Sequence, residues 1–266
     1  MPYATNPRDG RRIYFEDDGG DGAAVVFHGG LLDSVEVVRD SHIARALPRD
    51  EFRLVYADHR GVGRSDKPQD PEAYAMPLRV ADAVAVLEER GIERAHFIGA
   101  SYGGRLGYGI GEHAPERALS LVIGGHQPYA VSPEGPLARV IPGALAASRR
   151  KDSLEPFVQA LETVAGARFP PEVRARYLDN DPAAIEAASS TMLAEGPISS
   201  DLRAWQVRCL IHIGVGDADF YEQAQRAANE IPNAEFIAIE DADHVGAHLR
   251  PGQVIPAVLR TLRAAS

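Results

Sequence analysis

Short runs of consecutive apolar residues recur along the chain, and each run leads towards glycines or polar side chains. A strand with one face in solvent would alternate apolar and polar residues, so these runs predict strands that are buried on both faces, as in a parallel sheet. The runs are A-A-V-V-F (23–27), F-R-L-V-Y-A (52–57), A-H-F-I-G-A (95–100), L-S-L-V-I (119–123), C-L-I-H-I (209–213) and E-F-I-A-I (235–239). Near the N-terminus, R-R-I-Y-F-E lies between two turn signals and predicts one strand of a hairpin.

Segments with apolar residues at helical spacing lie between these runs. The clearest is L-R-V-A-D-A-V-A-V-L-E-E-R (78–90), which stops at Gly91, a residue typical of helix ends. Strands that alternate with helices predict right-handed βαβ units and a doubly wound, mostly parallel α/β sheet. Further helices are expected near 103–113, 220–230 and 252–263.

One long segment interrupts the alternation of strands and helices. Residues 128–205 contain several helical patterns and no convincing strand, and Pro- and Gly-bearing loops flank them. We therefore expect a core domain made of residues 1–127 and 206–266, with 128–205 inserted as a helical cap over one end of the sheet. The helical patterns in the insertion cover 138–149, 153–165, 171–178 and 182–194.

The sequence F-I-G-A-S-Y-G-G (97–104) places a serine between a predicted strand and a predicted helix, with glycines on both sides. A sharp strand-to-helix turn strains the serine backbone and lifts its hydroxyl clear of the sheet. Glycines two residues before and after it are needed because the chain packs closely there. These features predict that Ser101 is a nucleophile. The amide of Tyr102, at the start of the helix, can then stabilise an oxyanion.

Composition narrows the possible partners and the compartment. The 266 residues are 45% hydrophobic and 25% charged, which is ordinary for a globular protein. A net charge of −10 without a basic cluster argues against nucleic acid and anionic membranes as partners. No apolar run approaches the roughly 18 residues of a membrane span, and the N-terminus lacks the apolar region of a signal peptide. With a single cysteine, Cys209, no internal disulfide is possible, so we expect a cytoplasmic protein.

Five segments together resemble the α/β-hydrolase superfamily, and the likeness covers nearly the whole chain. The resemblance implies an eight-stranded, mostly parallel sheet with a helical cap, and a catalytic triad in the chain order Ser, Asp, His. The segments are V-V-F-H-G-G (25–30), Y-A-D-H-R-G-V-G-R-S-D (56–66), H-F-I-G-A-S-Y-G-G (96–104), I-H-I-G-V-G-D-A-D (211–219) and E-D-A-D-H (240–244).

The resemblance assigns the base and leaves two candidates for the acid. His244 follows the last strand, where this superfamily keeps the base that activates the serine. Family members typically read G-x-x-D after the penultimate strand, so we expect Asp219 to orient His244, with Asp217 as the alternative. His248 is expected at the surface or in packing. A metal held by His244 and His248 lacks a third ligand, so we expect neither a metal nor an organic cofactor.

The second oxyanion donor should come from the loop after His28-Gly29. The backbone amides of Gly30 and Leu31 are the candidates, and the resemblance favours Gly30. Leu31 and His126 are possible substrate-binding residues. His126 follows a strand at the active-site edge, where it could contact substrate or only bond to the backbone near the cap.

These residues predict hydrolysis of a small or medium carboxylic ester or lactone through an acyl-enzyme on Ser101. A serine at this position disfavours the alkyl-enzyme chemistry of epoxide hydrolases and haloalkane dehalogenases. A carbon–carbon bond hydrolase, a thioesterase and a cofactor-free haloperoxidase would use the same triad and stay open. A hydrolase-fold protein that binds a ligand without turnover is an alternative of another class. The sequence leaves the oligomeric state, the stereochemistry and the pathway undetermined.

Overall fold

A central β-sheet organises the chain in the computed structural model, which describes residues 2–265 apart from the side chains of residues 248 and 249. In this part of the chain the sheet has eight strands. They are β1 (Tyr3–Thr5), β2 (Arg12–Asp17), β3 (Ala23–His28), β4 (Phe52–Ala57), β5 (Ala95–Ala100), β6 (Ala118–Gly124), β7 (Arg208–Gly214) and β8 (Ala234–Ile239). Their order is β1-β2-β4-β3-β5-β6-β7-β8. β1, β2 and β4 pair antiparallel, and every later neighbouring pair is parallel.

Helices cover both faces of the sheet, which confirms the predicted doubly wound arrangement. Alternate residues of one strand enter different cores: in β3, Val26 packs in one cluster, whereas Val25 and Phe27 pack in the other. Outside the insertion the helices are α1 (Val35–Arg39), α2 (His42–Ala46), α3 (Met76–Glu89), α4 (Tyr102–His113), α9 (Tyr221–Glu230) and α10 (Pro251–Arg263). Apolar residues of α3, α4 and α9 join the first cluster, and those of α1, α2 and α10 join the second.

Four helices lie between β6 and β7, and we call them the insertion helices. They are α5 (Pro136–Lys151), α6 (Glu155–Ala165), α7 (Pro171–Leu178) and α8 (Pro182–Ala194). Each overlaps one of the four helical patterns of the sequence. Leu145 of α5, Phe157 of α6 and Ile185 of α8 are buried in the first core cluster. The division into a core domain and a cap domain stays a prediction.

Transmembrane segments were sought among the same described residues. No helix there combines the length and the apolar character that crossing a membrane requires.

Candidate active site

A strained turn between β5 and α4 presents Ser101. Its backbone has φ 51° and ψ −111°, a conformation that non-glycine residues rarely adopt. Glycines make the turn possible: a Cβ at Gly99 would lie 2.1 Å from the Gly103 carbonyl oxygen, and one at Gly103 would lie 2.3 Å from the His28 carbonyl oxygen. The chain therefore folds back tightly on both sides of Ser101.

The Ser101 hydroxyl begins a hydrogen-bonded chain of three side chains. Its Oγ lies 2.9 Å from His244 Nε2, and His244 Nδ1 lies 2.7 Å from Asp217 Oδ2. The Asp217 side chain is 0% exposed and the His244 side chain is 15% exposed. The order hydroxyl, imidazole, carboxylate is the one in which a base activates a nucleophile and an acid orients the base.

Asp217 holds the place that the sequence analysis expected for Asp219. A tight turn after β7, closed by the Asp217 amide donating to the Gly214 carbonyl at 3.0 Å, brings the Asp217 side chain to His244. The other Asp217 oxygen, Oδ1, accepts from the amides of Asp219 and Phe220, both at 3.2 Å. Family spacing alone could not show this turn, so it favoured Asp219, whereas Asp217 is the residue that contacts His244.

Asp219 instead points at the first insertion helix. Its Oδ2 accepts from the Leu137 amide at 3.1 Å, and its Oδ1 lies 3.5 Å from the Ala138 amide, in the first turn of α5. These amides have no acceptors within the helix, so a carboxylate stabilises them. Gly135 allows the approach, because a Cβ there would lie 1.8 Å from Asp219 Oδ1.

The carboxylates around His244 change its proton affinity. Burial alone would lower its pKa, but the hydrogen bond and the charge of Asp217, with the charges of Asp219 and Asp243, raise it above the ordinary histidine value. Burial, and then the charge of Asp217, raise the pKa of Asp219 although two backbone amides oppose this. The negative charge near the imidazole therefore favours an imidazolium, which a general base becomes during the reaction.

The two predicted oxyanion donors differ in what they bond. The amide of Tyr102 is the first in α4, where no acceptor exists within the helix. Gly30 lies beside the nucleophile, since a Cβ there would be 3.7 Å from Ser101 Cβ. Its amide, however, donates to Asp33 Oδ2 at 2.7 Å. Tyr177 of α7 donates its hydroxyl to the other oxygen of Asp33 at 2.8 Å. In this structure the Gly30 amide is therefore already hydrogen-bonded to the Asp33 carboxylate.

Both predicted substrate-binding candidates lie near these groups. The ring of His126 is 1% exposed and stacks on Phe220, with centroids 4.3 Å apart. Phe220 in turn meets His244 edge-on at 5.5 Å. Leu31 is partly buried and packs against a cluster that includes Tyr102. Two ring contacts thus link His126 to His244, and Leu31 packs against the cluster of Tyr102; their roles in substrate binding stay predictions.

Two residues with clear positions near the site were not singled out from the sequence: Phe220 and Arg105. Phe220 stands in a loop, where residue spacing does not give side-chain direction. Arg105 carried a usable signal, because it is a charged residue in the otherwise small and apolar start of α4. It is 0% exposed and bonds to both ends of the insertion segment.

The expectations about His248 and metals remain predictions. The His248 side chain lies outside the described residues. Among the residues that the structure describes, no group of three or more His, Cys, Asp or Glu side chains is arranged to hold a metal ion.

Comparison with known proteins agrees with the fold. The sequence model of the family described as "alpha/beta hydrolase fold" matches residues 23–141. A solved structure of a thermophilic esterase from Thermogutta terrifontis superimposes with a TM-score of 0.79 and 25% identity, over 99% of this chain and 98% of that one.

Two curated relatives match over different lengths. Cis-3-alkyl-4-alkyloxetan-2-one decarboxylase of Xanthomonas campestris pv. campestris is 26% identical over 97% of this chain and 94% of its own. Epoxide hydrolase 4 of Mus musculus is 32% identical over 75 residues, 28% of this chain and 21% of that protein. The chain spans less than a third of the first curated relatives that it matches. Given the family match, the sheet topology and the strained serine turn, the chain has the α/β-hydrolase fold.

Proposed function

We propose that this protein is a serine hydrolase that cleaves a small or medium carboxylic ester or lactone through an acyl-enzyme on Ser101. The observation that carries the proposal is the hydrogen-bonded chain from Ser101 through His244 to Asp217, with contacts of 2.9 and 2.7 Å. Such an arrangement turns a weakly nucleophilic hydroxyl into one that can attack a carbonyl.

Each member of the chain has one task in the proposed reaction. His244 takes the Ser101 proton as the Oγ bonds to the substrate carbonyl carbon, and then gives that proton to the leaving alcohol. Asp217 keeps the imidazole in the tautomer with a proton on Nδ1 and stabilises the imidazolium. A water molecule activated by His244 then hydrolyses the acyl-enzyme and releases the carboxylic acid and free Ser101.

The oxyanion that forms needs two donors. We assign them to the amides of Tyr102 and Gly30, each of which would supply roughly 3–4 kcal/mol of transition-state stabilisation. Asp33 must release the Gly30 amide first, because an oxyanion and a carboxylate cannot share one donor at this distance. Tyr177 holds Asp33 from α7, so substrate entry and the position of the insertion helices are coupled in this proposal.

Ester and lactone substrates fit the nucleophile best. A serine forms an acyl-enzyme with a carbonyl compound, whereas epoxide opening in this superfamily uses a carboxylate nucleophile. The relative that matches over nearly the whole chain is named for an oxetan-2-one, which is a four-membered cyclic ester. That name supports strained lactones as test substrates beside short-chain esters.

Pre-steady-state release of p-nitrophenol from short-chain esters tests the proposal, with the Ser101→Ala variant as control. We expect a burst near one equivalent in the wild type and none in the variant. A serine-reactive phosphonate should label Ser101 stoichiometrically. If folded wild-type protein gave neither burst, turnover nor labelling, the serine hydrolase proposal would be wrong and a ligand-binding role would replace it.

A further inference from the structure

His126 stands one residue beyond a backbone segment that touches the reacting groups. It follows Gly125, the first residue after β6. A Cβ at Gly125 would lie 3.5 Å from His244 Cε1 and 3.8 Å from the Ser101 amide nitrogen. The His126 ring itself is only 1% exposed and packs on Phe220. Two ring contacts therefore connect it to the catalytic imidazole.

The hydrogen bonding of His126 Nδ1 fixes where the ring carries its proton. The Gln127 amide donates to Nδ1 at 2.9 Å, and an amide N–H can only donate. Nδ1 also lies 3.1 Å from the Gln127 carbonyl oxygen, which could accept only if Nδ1 were protonated. Because the contact with the amide is the shorter of the two, we assign Nδ1 as the hydrogen-bond acceptor, and Nε2 therefore bears the proton. Burial, aided by the charge of Arg105, holds the pKa of His126 well below the ordinary value, which keeps the ring neutral.

The Nε2–H donor of His126 has no acceptor among the described residues. A buried donor without a partner destabilises the folded protein, because it has lost its hydrogen bonds to water. The Gln127 bond and the Phe220 stack fix the ring plane, with a 21° angle between the two rings. This donor has a fixed orientation and is removed from water. It can therefore bond to an acceptor atom of a bound ligand without first being reoriented or desolvated.

We propose that His126 determines substrate specificity by donating from Nε2 to a carbonyl or ether oxygen carried on the acyl chain. This inference rests on the proposed acyl-transfer function and narrows its substrate class to oxo- or alkoxy-acyl esters and lactones. An unsubstituted alkyl chain leaves the donor unpaired, and the enzyme therefore selects against it.

The test compares two esters of nearly equal size, p-nitrophenyl 4-oxopentanoate and p-nitrophenyl pentanoate. The ratio of their kcat/KM values is divided by the ratio of their rates with hydroxide, which removes the intrinsic reactivity of each ester. We expect wild-type enzyme to favour the oxo ester by about tenfold after this correction, the size of one hydrogen bond. His126→Phe keeps a ring against Phe220 but removes the donor, so we expect the corrected ratio to fall to about one.

Each other result overturns the inference in a recognisable way. If His126→Phe slowed both esters equally, His126 would only support the structure. If that variant failed to fold, the wild-type ratio alone would decide, and a corrected ratio near one would reject the donor. If wild type hydrolysed both esters without preference, the serine hydrolase proposal would stand and this inference would fall. If neither ester gave turnover or a burst, both the serine hydrolase proposal and the inference about His126 would be wrong.

Discussion

Asp217 and Asp219 stand one residue apart and meet different donors. Asp217 accepts from His244 and from two amides of its own turn, whereas Asp219 accepts from amides at the start of α5. Asp217 is therefore placed to orient the imidazole, and Asp219 to hold the insertion. One carboxylate serves the chemistry in our proposal, and the other serves the attachment of a helix.

Replacing Asp217 by Asn is expected to lower kcat on short-chain esters by about 10⁴-fold, because the amide would favour the wrong tautomer of His244. Asp219→Asn is the matched control, and we expect its kcat to stay within about tenfold of wild type. Steady-state kinetics with p-nitrophenyl butyrate measure both. The reverse order of effects would return the acid to Asp219.

The pH dependence of kcat/KM should report the raised pKa of His244. The base must be neutral, so activity should rise with pH through an apparent pKa that lies above the ordinary histidine value. Asp219→Asn removes one of the charges that raise this pKa, and the rise should move to lower pH. A pH profile of wild type and variant measures the shift. If kcat/KM rose at the same pH in the variant and in the wild type, the charge of Asp219 would not influence the pKa of His244.

At the scale of elements, two helical glycines have different surroundings: Gly103 is closely packed, and Gly143 lies next to open space. Gly103 in α4 faces backbone: a Cβ there would meet the carbonyl oxygens of His28 and Gly29 at 2.3 and 2.7 Å. A Cβ at Gly143 in α5 would have no heavy atom of the described residues within 4 Å. One glycine is required by the turn around Ser101, and the other is not.

Alanine at these two glycines should act in opposite directions. Gly103→Ala should destabilise the protein by at least about 3 kcal/mol, since backbone atoms must move. Gly143→Ala should stabilise it by about 0.5–1 kcal/mol through helix propensity. Urea unfolding midpoints measure both. A Gly103→Ala protein as stable as wild type would contradict the close approach at the turn.

The buried parallel strands and the longer helices were predictable from the sequence, because such strands are apolar throughout and helices repeat with a different period, whereas the short α1 and α2 were not predicted. The position of Ser101 followed from its flanking glycines. The choice between Asp217 and Asp219 did not follow, because it depends on a turn that the Asp217 amide closes and on the approach of α5, which is distant in sequence. The hydrogen bond between Asp33 and Tyr177 could not be predicted for the same reason, since the two residues are 144 positions apart.

At the scale of the whole molecule, Arg105 fastens the insertion to the core. From α4 its guanidinium donates to the carbonyl oxygens of Gln127 and Tyr129, before the insertion helices, at 3.1 and 2.9 Å. It also reaches Glu195 at 2.9 Å and the Gly196 carbonyl at 3.1 Å, after them. Both connections of the insertion therefore converge on one buried cation.

Arg105→Met should destabilise the protein by about 3–5 kcal/mol, because it leaves the partly buried Glu195 carboxylate and three carbonyl oxygens without their buried donor. Arg149→Met removes a half-exposed pair with Glu186 and should cost no more than about 1 kcal/mol. Thermal unfolding, with limited proteolysis of the segments that flank the insertion helices, compares the two variants. Equal stability of both would show that Arg105 does not fasten the insertion.

The contacts of α7 and its C-terminal loop with the segment after β3 limit how this protein can be re-engineered. Tyr177 bonds to Asp33, and Asn180 donates to the Leu32 carbonyl at 3.1 Å. A simple chimera would exchange the insertion between relatives as if it were a unit independent of the core. Here a transplanted insertion without Tyr177 and Asn180 would leave the loop around Gly30 without two of its supports. A working chimera must therefore carry residues 30–33 together with the insertion helices as one unit.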